Sequence, residues 1–88
     1  MDLDDIRKKI DRVDIEILNR LHLRTELALL SRRLKGYVVD EDREKQVLEN
    51  VKRTARRLVD PSFAESLFQD IIQQSRRVQQ QEYLLAGF

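Results

Sequence analysis

The stretch that decides the fold is Ile6-Arg7-Lys8-Lys9-Ile10-Asp11-Arg12-Val13-Asp14-Ile15-Glu16-Ile17-Leu18-Asn19-Arg20-Leu21, continued by His22-Leu23-Arg24-Thr25-Glu26-Leu27-Ala28-Leu29-Leu30-Ser31-Arg32-Arg33-Leu34-Lys35-Gly36. Its apolar residues fall at Ile6, Ile10, Val13, Ile17, Leu21, Leu27, Leu30 and Leu34, in steps of three and four with one break at Arg24. Side chains at that spacing line one face of a helix with 3.6 residues per turn. Asp4 or Asp5 suits the N-cap and the acidic first turn, and Lys35-Gly36 is the first plausible stop, a cation followed by glycine. The expectation is one helix of about 30 residues, roughly 45 Å long at 1.5 Å per residue.

Beyond that helix, Tyr37-Val38-Val39 is a short connector, and Asp40 can cap a second helix with apolar positions at Val47, Leu48, Val51, Ala55 and Leu58. Asp60-Pro61 is the clearest boundary, an N-cap candidate followed by the residue pre-set for the first helical position. A third helix then runs through Phe63, Leu67, Phe68, Ile71, Ile72, Ser75 and Val78 towards Tyr83. Gln79-Gln80-Gln81 reads as part of it. The apolar tail Leu84 to Phe88 fits docking on a dimer as well as a point where a longer chain was cut.

The 88 residues make one domain over residues 1–88. A chain of this size buries a modest share of its surface, roughly 60 to 65% by size scaling, so a second copy would help stabilise it. Two glycines, one proline and 38% charged residues leave little room for turn-rich β structure, and the chain reads as all-α. The net charge of +1 lacks the excess expected of a nucleic-acid binder. The basic patch Lys52-Arg53 with Arg56-Arg57 is balanced by acids elsewhere, so at most weak, salt-sensitive binding is expected there. The absence of cysteine and the single His22 argue against disulfides, thiolate metal sites and a structural metal. No cofactor is expected. Met1 to Asp5 has no basic region followed by an apolar stretch, and no segment approaches the ~20 apolar residues of a membrane span. A signal peptide and membrane association are thus not expected, and the default compartment is the cytoplasm.

Three runs carry the chemistry. Arg24, Ala28, Ser31 and Lys35 share one helix face, because steps of 4, 7 and 11 residues nearly close whole turns. Two cations there flank small side chains that leave volume for a compact anion; solvated surface charges are the other reading. Asp40, Arg43, Glu44 and Val47 likewise share a face that reaches into the apolar stripe. Asp40 can simply cap the helix and pair with Arg43. Glu44 has acids, Asp40 and Glu41, on its preceding turn and needs a partner from outside its own helix. Ser75 and Gln79 continue the stripe of Phe68, Ile71 and Ile72, so their polar atoms are expected to be buried. A buried amide without a partner costs on the order of 1 to 3 kcal/mol, so a protein group, a water or a ligand must answer it. Arg7 lies 17 residues before Arg24, about 25 Å along the same rigid helix. One small ligand can meet both only if Arg7 comes from a second molecule packed antiparallel along the first helix.

Over nearly its whole length the chain resembles the all-helical chorismate mutases, the small dimeric class. The resemblance rests on Ile6-Arg7-Lys8-Lys9-Ile10-Asp11 with Asp14, on Arg24 through Lys35, on Asp40-Glu41-Asp42-Arg43-Glu44, and on Ser75 with Gln79, in that order on three helices. It implies an intertwined homodimer of six helices with two active sites, converting chorismate to prephenate on the route to phenylalanine and tyrosine. It also implies that Arg24 and Arg43, with Arg7 from the partner chain, hold the two substrate carboxylates. Lys35 and Gln79 would address the ether oxygen, and Asp40, Glu44 and Ser75 would lie near the ring hydroxyl or the carboxylates; by its chemistry Glu44 could also assist by hydrogen bonding. The connector from Lys35 to Asp40 departs from the family pattern, being a few residues shorter and without its basic and proline residues. Because that connector closes one side of the pocket, its length bears on affinity more than on chemistry.

Two other readings are open. Isochorismate pyruvate lyases resemble this chain in their arginines, lysine and glutamine, while Glu44 and Ser75 favour the mutase. A non-catalytic helical dimerisation or regulatory module would need only the heptad-like first helix.

Overall fold

The computed structural model describes residues 1–56 and 58–85, with side chains as far as Glu82. Arg57 of the basic patch, the Tyr83 side chain and the end of the apolar tail lie outside the described residues. Three helices follow in order, α1 (Leu3–Lys35), α2 (Glu41–Thr54) and α3 (Pro61–Leu85). The fold is all-α, as the composition and periodicity require.

Each boundary has a local cause. The α1 N-cap is Asp2, not Asp4 or Asp5: its carboxylate accepts from the Asp5 N–H at 2.9 Å, and the Asp5 carboxylate accepts from the Asp2 N–H at 3.4 Å. This reciprocal capping box needs an acid three residues after the cap, which places Asp4 and Asp5 inside the first turn. The far end stops at Gly36, whose φ of 80° is the left-handed conformation that side chains resist, and its N–H donates to the Arg32 carbonyl at 2.7 Å. Asp40 caps α2 through the Arg43 N–H at 3.1 Å, and Asp60 caps α3 through the Phe63 N–H at 3.0 Å, with Pro61 at the first helical position.

The second helix is shorter than its apolar pattern suggests. It ends at Thr54, whose hydroxyl donates to the Asn50 carbonyl at 2.8 Å, and Ala55 turns to extended backbone. Leu58, read as a position of this helix, sits in the following turn and is 92% exposed. The chain needs those residues to reach the Asp60-Pro61 cap, since a residue before proline avoids helical backbone.

Helix α3 is the central element and packs on both α1 and α2. Ala64 and Ile72 form its buried apolar core. Lys52 of α2 pairs with Glu65 of α3 at 3.2 Å, and Arg32 and Arg33 of α1 converge on Glu82 of α3, Arg32 at 3.4 Å. The α1 side chains turned towards this core are Leu21, Arg24, Thr25, Ala28, Leu29, Arg32 and Lys35, all at least partly buried. This second stripe explains the break at Arg24: the purely apolar stripe is a different face, and a single chain leaves it open. Ile6, Ile10, Val13, Ile17, Leu27 and Leu30 are all 43% or more exposed, and Leu34 is 91% exposed.

The proportions of the chain agree. Its radius of gyration is 16.1 Å, against about 12 Å for a compact domain of this length. Its accessible surface is 7444 Å², against about 5,400 Å² expected for a monomer of 10.5 kDa. Part of the exposed apolar surface lines a groove between the middle of α1 and α3, bounded by Val13, Ile17, Leu21, Leu67, Phe68 and Ile71.

The Glu82 carboxyl is held below the usual carboxylate range, first by its hydrogen bond from Arg33, against the opposing effect of burial, and then by the charges of Arg33 and Arg32. A folded-state value below the unfolded one means stability present above the ordinary carboxylate range and lost as pH falls through the folded value. Glu82→Gln is therefore expected to lower the melting temperature near pH 7, with the difference from wild type closing as pH falls below the ordinary carboxylate range. A constant difference across that range would show that Glu82 acts through packing and not through charge.

Candidate active site

A cavity of about 310 Å³ opens where the C-terminal half of α1, the start of α2 and the second half of α3 meet. That volume lies at the small end of ligand sites, which run from about 300 to 1,000 Å³. From α1 it receives Arg24, Ala28, Ser31 and Lys35, the helical face read from their spacing, together with Leu27 of the apolar stripe. The small Ala28 and Ser31 side chains leave room between the two cations. Val38 of the connector closes one side, and Asp40, Arg43, Glu44 and Val47 line the α2 wall. Ile72, Ser75, Arg76 and Gln79 of α3 complete the lining.

The polar groups are arranged in defined pairs. The Gln79 amide nitrogen donates to the Ser75 hydroxyl at 3.1 Å, and both residues are only 6% exposed. The Gln79 carbonyl oxygen is buried with no hydrogen-bond partner among the described residues. An unanswered acceptor at that depth carries a desolvation cost of about 1 to 3 kcal/mol. Asp40 has two tasks: one carboxylate oxygen caps α2, and the other lies 3.9 Å from the Lys35 ammonium. Asp40 therefore meets Arg43 through that residue's backbone N–H. Lys35 also sits 4.9 Å from the centroid of the Tyr37 ring, so the connector helps hold the ammonium in place.

Glu44 finds its partner on α3. Arg76 Nε donates to its Oε2 at 2.8 Å and Arg76 Nη2 donates to its Oε1, a bidentate fork. Hydrogen bonding to Glu44 raises the Arg76 guanidinium above its ordinary value, against a smaller opposing effect of burial, with the Glu44 and Glu41 charges adding to the rise. Arg24 is shifted the other way: burial, and then repulsion from Arg43, lower its guanidinium below the ordinary value. Two like charges therefore face one cavity, Arg24 with its hydration partly removed, a condition that an anion between them relieves.

Of the sequence-predicted site residues, Lys35, Gln79, Glu44, Arg24, Arg43, Asp40 and Ser75 all line this cavity. Arg7 does not. It is exposed near the other end of α1, as its 17-residue separation from Arg24 requires. Sequence reasoning missed Arg76 as a site residue; the signal was Glu44's need for a partner beyond its own helix. It also missed the buried Arg32, three residues before Lys35, whose link to Glu82 ties α1 to α3 just beyond the cavity.

The fold and site define a helical protein with a small, cation-rich pocket shared among three helices. The chain matches the chorismate mutase type II family over residues 6–80 and belongs to that family. No curated protein and no solved structure matches it significantly. Among the described residues, no helix is long and apolar enough to cross a membrane.

Because Arg24 bears the cost of burial and of repulsion from Arg43, Arg24→Met is expected to leave the ligand-free protein as stable as wild type or about 0.5 to 1 kcal/mol more stable. Solvent at this partly open site keeps the gain small. Urea unfolding at low ionic strength measures it. A clear loss of stability would mean that Arg24 is a structural residue whose charge is already balanced in the empty pocket.

Proposed function

We propose that the protein is a chorismate mutase, converting chorismate to prephenate on the route to phenylalanine and tyrosine, and that it acts as a homodimer. The observation that carries this reading is the charge balance of the cavity. Four cations, Arg24, Lys35, Arg43 and Arg76, stand against two acids, Asp40 and Glu44, which leaves two positive charges for a ligand with two carboxylates.

The reaction is an intramolecular rearrangement in which the ether C–O bond breaks as a new C–C bond forms, with no proton, nucleophile or cofactor in the balance. Catalysis then consists of holding the folded substrate conformer and stabilising negative charge that grows on the ether oxygen. Arg24 and Arg43 grip the carboxylates, since a planar guanidinium matches a carboxylate with two charge-assisted bonds. Lys35 supplies charge to the ether oxygen, and the Gln79 amide supplies an N–H, one of its two being engaged by Ser75. Glu44 accepts from the ring hydroxyl, and Asp40 keeps Lys35 in position.

The open apolar face of α1 supports the dimer. The excess surface of about 2,000 Å² per chain is of the size that obligate interfaces bury. An antiparallel second copy laid along α1 fills the groove beside Phe68 and Ile71. It also brings Arg7 of the partner subunit to the carboxylate end of the pocket.

The test is turnover of chorismate, followed by loss of its absorbance, with Arg24→Ala as a control of matched oligomeric state. Conversion to prephenate that disappears in the control is expected. No conversion by a well-folded dimer overturns the reading, and pyruvate and salicylate formed from isochorismate would then identify a lyase on the same fold.

Site sharing has its own signature. Arg7→Ala and Arg24→Ala homodimers are each expected to be inactive, and mixing them after unfolding should restore about a quarter of wild-type activity, because half of the dimers then carry one intact site of two. No recovery on mixing would place Arg7 outside the site.

A further inference from the structure

The acids of the cavity are each matched to one cation, and the pairing is not symmetrical. Asp40 lies against Lys35, and Glu44 is forked by Arg76. Arg24 and Arg43 have no ion pair among the described residues, where the Arg43 guanidinium donates only to the neutral Gln46 side chain, at 3.4 Å. The arginines assigned above to the substrate carboxylates are thus the ones left without an acid. Glu44 shares a cavity with both of them and sits one residue after Arg43 on α2.

Without Arg76, Glu44 would face two unpaired guanidinium groups within one small cavity. A flexible carboxylate in a site of reduced dielectric moves to the nearest cation. Asp40 and Glu41 on its preceding turn add to that tendency by repelling it towards the interior. Glu44 would then compete with the substrate's carboxylates for the clamp.

Building on the chorismate mutase reading, we propose that Arg76 is a positioning residue that sequesters Glu44, keeping Arg24 and Arg43 free for the substrate carboxylates while presenting Glu44 as a fixed acceptor. The fork suits this purpose. It occupies both carboxylate oxygens, yet an ionised carboxylate has about four acceptor positions, so roughly two stay open towards the cavity. The anchor stands on α3, so Glu44 on α2 is held by an element that also carries Ser75 and Gln79. At 33% and 21% exposure the pair is shielded enough to hold its geometry and close enough to solvent to form without a large desolvation cost.

The experiment compares wild type, Arg76→Gln, Glu44→Gln and the double variant in chorismate turnover, with helix content and oligomeric state measured for each. Arg76→Gln is expected to raise KM on the order of tenfold, the scale of one competing ion pair. In the double variant KM should return close to the wild-type value while kcat stays as low as in Glu44→Gln, because removing the competing acid frees the clamp but not the lost acceptor. Arg76→Lys, which keeps a cation opposite Glu44, should retain most of the wild-type KM.

A residue that merely ties α3 to α2 gives a different pattern, since deleting Glu44 cannot restore that tie. Unchanged KM in Arg76→Gln, or a raised KM that persists in the double variant, overturns the proposal while leaving the mutase reading intact. Absence of turnover in folded wild type overturns both together.

Discussion

The structure depends on a mismatch of lengths. Helix α1 has 33 residues, α3 has 25 and α2 has 14, which at 1.5 Å per residue gives rods of about 50, 37 and 21 Å. Two shorter helices cannot cover the longest, and α3 meets α1 mainly along its C-terminal half. The cation-rich cavity lies in that covered half, and most of the exposed apolar side chains of α1 lie in the other. The proposed dimer resolves the mismatch by giving the uncovered half of α1 a second copy to rest on.

Along α3 the inward face changes character. Ala64 and Ile72 are buried apolar residues, whereas Ser75 and Gln79, one and two turns further on, are buried polar ones. The helix is therefore a core element at one end and a cavity wall at the other. The polar end is costly in isolation, with an unanswered amide oxygen and a partly dehydrated Arg24 that Arg43 repels. Ion pairs at Glu44 and Glu82 bind α3 to its neighbours beside the cavity, one at Glu65 binds it to the far end of α2, and together they offset part of that cost.

Much of this is legible in the sequence because it is local. Gly36, Asp40 and Asp60-Pro61 announce their helix ends through chemistry within a few residues. The cavity wall of α1 follows from the 3.6-residue period alone, which places Arg24, Ala28, Ser31 and Lys35 together. Periodicity cannot say how two helices are rotated against each other, and that is where the reading stops. Arg76 stands about 100° around α3 from Ser75 and reaches α2 sideways, so only the relative placement of the two helices identifies it as Glu44's partner. The same holds for Arg32 and Glu82, 50 residues apart. Leu58 looked helical because its spacing continued the stripe, but the turn that leads to Pro61 needed it.

The covered face of α1 acts as a ruler marked in whole turns. Arg24 and Lys35 are separated by 11 residues, close to three turns, and both reach the same cavity for that reason. Substitutions on the outer face leave that count unchanged. A single inserted or deleted residue between them does not, since it swings one cation about 100° around the axis, away from the other. The segment from Arg24 to Lys35 is thus constrained in length more strictly than in composition. A change of length is accommodated more readily in the connectors at residues 36–40 and 55–60, where no helical phase has to be kept.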